Sequence, residues 1–73
     1  VSHIAALIQQ TPGIKGFHDL RTRDAGQQWF IQCHIELDQQ LSLQQAHDIA
    51  NQAEHTINAS YPQAEIILHQ DPV

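Results

Sequence analysis

The chain has 73 residues, 41% apolar and only 15% charged, with three basic side chains against eight acidic ones and a formal charge of -5. That size allows one folded domain with a small core, and so few Lys and Arg residues argue against a nucleic-acid partner. A single cysteine, Cys33, excludes an internal disulfide, and no stretch approaches the roughly 20 apolar residues of a membrane-spanning helix, so the chain is not expected to be membrane-inserted.

Ile4, Leu7 and Ile8 recur at helical spacing behind Ser2, a capping residue type, and Thr11-Pro12-Gly13 ends this first short helix. Residues 15–23 read as a strand. Gln27 to Asp38 is the clearest strand, with Ala25-Gly26 at the centre of the hairpin turn that joins the two. Within it Trp29, Ile31, Cys33, Ile35 and Leu37 alternate onto the expected core face, and Phe30, Gln32, His34, Glu36 and Asp38 onto the other.

Ser42 and Gln45 have the form of a capping box, opening a long helix to about Ala59. Its apolar stripe is Leu43, Ala46, Ile49, Ala50, Ala53 and Ile57. Tyr61-Pro62 marks the exit, and Ala64 to His69 forms the last strand. The order helix, strand, strand, helix, strand predicts an α+β two-layer sandwich with both helices on one sheet face. A second copy of the chain, packed sheet to sheet, is the simplest cover for the other face.

Six histidines in 73 residues direct attention to metal. His69 and Asp71 are two apart and share a face if they lie in a strand. His34 falls on the face opposite the core, so packing does not explain it, and hairpin pairing can set His18 near it. Any one of these alone reads as a surface polar residue. Together they point to a divalent cation, because imidazole and carboxylate suit zinc, iron(II) and related ions. The acidic balance favours such an ion as well. His47, in the first turns of the long helix, is read either as a partly buried helix histidine or as a ligand. His55 and His3 are expected outside any site, and Cys33 is expected in the core.

No glycine-rich phosphate loop, nucleophile elbow or HExxH helix is present, and so short a chain leaves little room for a substrate pocket, so no enzyme is expected. Glu36, Asp38 and Asp19 read as a solvated strand face, and Asp19, Arg21 and Arg23 as makers of ion pairs. The chain begins without methionine and stops directly after the suspected ligands, which is expected of a piece of something longer.

The runs Gly16-Phe17-His18-Asp19-Leu20-Arg21-Thr22-Arg23, Leu41-Ser42-Leu43 with Ala46-His47, and His69-Gln70-Asp71-Pro72 closely resemble the C-terminal cytoplasmic domain of bacterial cation diffusion facilitators, nearest to their ferrous-iron and zinc efflux pumps. The likeness covers nearly the whole chain. It implies a ferredoxin-like, metallochaperone-like α-β-β-α-β domain that forms a homodimer through its sheet side. The parent would be a cation/proton antiporter of the inner membrane, with this domain on the cytoplasmic face beside the transmembrane domain of the same polypeptide.

The same resemblance implies zinc, two ions per chain, with iron(II), cadmium or another divalent cation as alternatives. Its ligands would be His18, His34, His47, His69 and Asp71, with Asp71 bridging, His18 and His34 on one ion, and His47 and His69 on the other. Gln70 would act behind the ligands or across the dimer interface. A purely structural dimerisation module and a free-standing metallochaperone are the alternative readings.

Overall fold

A computed structural model describes the backbone of residues 2–73 and the side chains of residues 3–73. The elements are α1 (Ser2–Gln9), β1 (Ile14–Ala25), β2 (Gln28–Leu37), α2 (Leu43–Ser60) and β3 (Ala64–Pro72). They form the α-β-β-α-β arrangement that the sequence predicts. The strands make one sheet in the order β1-β2-β3, with β1 antiparallel and β3 parallel to the central β2.

Local chemistry sets the boundaries. The Ser2 side chain, expected as a cap, lies outside the described residues. At the other end of α1, the Thr11 hydroxyl donates to the Leu7 carbonyl at 3.1 Å, and Pro12 has no N–H with which to continue the helix. The hairpin turn is centred on Gly26-Gln27, one residue later than expected, because a tight two-residue connection needs a positive φ at its first central position. Gly26 supplies it at φ 80°, and its N–H donates to the Asp24 carboxylate at 3.1 Å.

The predicted capping box of α2 is complete. Ser42 Oγ accepts from the Gln45 N–H at 3.0 Å, and Gln45 Oε1 accepts from the Ser42 N–H at 2.9 Å. Strand β3 runs past His69 to Pro72, so Asp71 lies in a strand and not beyond one. A proline is tolerated there because β3 is an edge strand.

Ile31, Cys33, Ile35 and Leu37 of β2 are buried against Ile4 and Ile8 of α1 and Ala50 and Ile57 of α2, so both helices cover the same sheet face. Two residues depart from expectation. Trp29 is 42% exposed, because it starts β2 beside the end of α2, where Ser60, Tyr61 and Pro62 border an open hollow. Leu43 is 92% exposed. It occupies the first position of α2, and burial begins only with Ala46 and becomes complete at Ala53. Leu41, just before the cap, packs on the core in its place.

Strand β1 is not regular. Its register against β2 shifts between Ile14 and Gly16 and again between His18 and Arg21. At the second shift Asp19 and Leu20 together face Cys33, and Asp19 takes φ 54°, a left-handed conformation that Asp tolerates better than most residues.

Candidate metal centre

The register of the sheet builds the centre. His18 pairs with His34, and His34 with His69, so three histidines from three strands stand in one row across the face that no helix covers. Glu36 pairs with Gly16 on one side and Asp71 on the other, which makes a second row beside the first. The imidazole rings stack along their row. His18 and His34 have centroids 4.9 Å apart at 16°, and His34 and His69 are 4.6 Å apart at 18°.

Asp71 reaches across from the second row. Its Oδ2 lies 3.2 Å from His18 Nε2 and 3.2 Å from His34 Nδ1. One ligand atom from each of His18, His34 and Asp71 falls within 4.8 Å of the others. Four ligands about 2.0–2.2 Å from a tetrahedral zinc sit about 3.4 Å from one another, so this nitrogen and oxygen set fits such an ion with little movement. His18 Nδ1, on the far side of its ring, lies 2.8 Å from Glu36 Oε2.

Charge favours the protonated ring at His18. The hydrogen bond to Glu36 raises its pKa above the ordinary 6.5, partial desolvation opposes that rise, and the negative charges of Asp71, Glu36 and Asp19 add to it. A proton and a metal ion therefore compete for the same nitrogen. Directly behind the row, Cys33 faces the core as expected. Burial pushes its thiol up to about 11, and Sγ donates to the His18 and His34 carbonyls at 3.7 and 3.5 Å.

The model of the cation efflux protein cytoplasmic domain matches residues 1–73. The chain belongs to that family. It is 50% identical over 70 residues to the cation-efflux pump FieF of Pectobacterium atrosepticum, covering 96% of this chain and 23% of that protein. It is 45% identical over 69 residues to protein p34 of Rickettsia prowazekii, covering 94% of this chain and again 23% of the relative. The chain thus spans under a quarter of the length of these relatives.

Among solved structures, a MamM CTD variant in its nickel form superposes with a TM-score of 0.88 at 22% identity, over 99% of this chain and 92% of that one. Another variant in a manganese form gives 0.86 at 23% identity, over 99% and 92%. Both share the fold of this cation efflux cytoplasmic domain. None of its described helices is long and apolar enough to cross a membrane.

Of the five residues singled out in the sequence, this cytoplasmic domain brings His18, His34 and Asp71 together. His69 stacks on His34 but stands outside that triplet, with its Nε2 3.4 Å from Gln32 Nε2. His47 is exposed on α2, in the layer on the other side of the sheet. Its partly buried reading is not met, and a single chain does not seat it in the cluster. Gln70, which pairs with Ile35, alternates away from the row. His3 lies apart, with Nδ1 3.2 Å from the Tyr61 hydroxyl.

The expected ion pairs of Asp19, Arg21 and Arg23 do not form among the described residues. The bulge turns Asp19 out of the strand's alternation, and the Arg23 guanidinium lies over the Phe30 ring at 5.4 Å. The residue that sequence reasoning passed over is Glu36. Its signal was its place two residues after His34, on the same face of the strand.

Proposed function

We propose that this domain binds a pair of divalent ions, zinc or iron(II), on its open sheet face, and that it dimerises there. In this reading it regulates an efflux transporter of which it is a part, and does no chemistry of its own. The convergence of His18, His34 and Asp71 carries the reading, since borderline ligands of this kind suit those ions. Support also comes from relatives named as cation-efflux pumps, and from similar folds whose solved forms carry nickel, cadmium or manganese.

Asp71 bridges the pair, His18 and His34 hold the first ion, and His69 with His47 holds the second. His47 is the piece that one chain does not assemble, so the second ion is the weaker one. The parent is a proton-coupled antiporter of the inner membrane, with this domain at its cytoplasmic face. Metal signals to the transmembrane part only if two arrangements of the dimer differ in metal affinity, because a ligand that binds both equally shifts nothing.

A purely structural dimerisation module is the second reading. Ile67, 45% exposed, and Phe30 lie on the open face, and a second copy would cover them without any metal. Calorimetric zinc titration of chelator-stripped protein, with mass followed by light scattering, separates the two. A pair of zinc ions per chain, with the weaker site lost in His47→Ala, supports the metal-regulated domain. A dimer that persists in chelator and takes up no zinc tightly leaves the structural module.

A further inference from the structure

Gly16 and Glu36 face each other in the second row and do something that neither the core nor the ligand set requires. Glu36 bends across to β1, where Oε2 meets His18 Nδ1 at 2.8 Å. An ionised carboxylate only accepts hydrogen bonds, so this contact requires the proton on Nδ1. A neutral imidazole carries one such proton, and the 2.8 Å contact to Glu36, shorter than the 3.2 Å one from Nε2 to Asp71, places it on Nδ1 and leaves the Nε2 lone pair free. That nitrogen lies 3.2 Å from Asp71 Oδ2, on the side where the triplet converges.

Glu36 takes this pose opposite a residue with no side chain, and a Cβ there would oblige its carboxylate to shift. A Cβ built on Gly16 would stand 2.8 Å from Glu36 Oε1, closer than real Cβ atoms approach. The backbone of Gly16 is not in the left-handed region, so space and not conformation accounts for a glycine in mid-strand, where it weakens pairing.

We propose that Glu36 is a positioning residue of the metal centre, given room by Gly16, and that it fixes His18 as the Nδ1–H tautomer with Nε2 presented to the ion. This deepens the metal-binding reading and rests on it. A carboxylate behind a metal-bound histidine orients the ring and raises its basicity, and losing such a partner typically weakens binding by about 10–100-fold. Glu36 is not part of the converging triplet, and its Oε2 is engaged with the ring nitrogen that faces away from it.

The test is made on the whole 73-residue chain. Nitrogen NMR of the metal-free protein, at a pH high enough to leave the rings neutral, reads the His18 tautomer, and zinc affinity is measured by chelator competition. Wild type should show Nδ1–H before and after zinc loading. E36A should lose that preference and bind zinc about 10–100-fold more weakly, while E36Q, whose amide oxygen still accepts from Nδ1–H, should keep the tautomer and most of the affinity. G16A should weaken zinc in the wild type but add little in the E36A background.

An E36A protein with an unchanged tautomer, or with wild-type affinity, overturns the proposal. So does a zinc-loaded spectrum in which His18 Nδ1 is the ligating nitrogen. Wild type that shows the Nδ1–H tautomer yet binds no zinc refutes the metal centre, and with it the role given to Glu36. That outcome is distinct from metal binding that ignores Glu36.

Discussion

Replacing Asp71 with alanine removes a carboxylate whose Oδ2 stands 3.2 Å from both His18 Nε2 and His34 Nδ1. Structural zinc sites hold their ion with about 10–16 kcal/mol over four ligands, so one ligand is worth about 3 kcal/mol. At about 1.4 kcal/mol per factor of ten, D71A should weaken zinc by about 100-fold or more. Asp71→Asn keeps an oxygen donor but loses the charge, and should fall between D71A and wild type. Asp71 is half-buried near the end of an edge strand, so the metal-free fold should change by less than about 1 kcal/mol. Competition against a chromogenic chelator measures the affinity, and denaturant unfolding of stripped protein measures the fold. His55→Ala, exposed on α2, serves as the control and should bind as wild type does. A D71A chain that binds zinc less than about tenfold more weakly, with its fold intact, would refute the argument that this carboxylate is a ligand.

Acid should act through His18 in two opposed ways. Its pKa is raised in the fold, so its protonated form stabilises the metal-free chain fully below 6.5, and that contribution is lost as pH rises through the raised value. Zinc affinity should climb over the same window, because the ion displaces the proton. Denaturation of stripped wild type and His18→Ala across pH, beside zinc titrations, reads both, and a pH dependence identical in the two proteins would count against it. Ile35→Ala empties a fully buried position at the centre of β2 and should cost about 2–5 kcal/mol, read as a lower denaturant midpoint. Ser42→Ala removes half of the capping box and should cost about 1 kcal/mol by the same assay, with zinc affinity unchanged.

Much of this was legible because two local signals are clean, one periodicity and one helix cap. The alternation from Ile31 to Leu37 identifies the core face of β2, and so by itself places His34 on the other face. The Ser42 and Gln45 pair marks the start of α2 because its chemistry is local. What could not be read depends on distant registration. That His34 pairs with His69 follows from how β3 slides along β2 after an 18-residue helix. Nothing local to either histidine encodes that alignment. Trp29 and Leu43 have the right period and still lie in the open, because period says which side of an element a residue is on and not where the opposing layer stops. In the sequence Glu36 is indistinguishable from any solvated carboxylate, because its pairing with Gly16 depends on the β1–β2 register.

The extra residue in β1 bears on how the length of this strand can vary. Losing one residue from a pleated strand ordinarily inverts every side chain beyond the gap, and here that would turn Arg21 and Arg23 inward and draw Thr22 out. At Asp19 the count differs, because two residues already stand against one on β2. A chain shortened by that single residue keeps His18, Arg21 and Arg23 on the open side and Leu20 and Thr22 toward the helices. Natural length changes in β1 should therefore collect at this point or at Lys15, the other irregularity, and an alignment that closes a gap between regular pairs would assign the residues beyond it to the wrong side of the sheet.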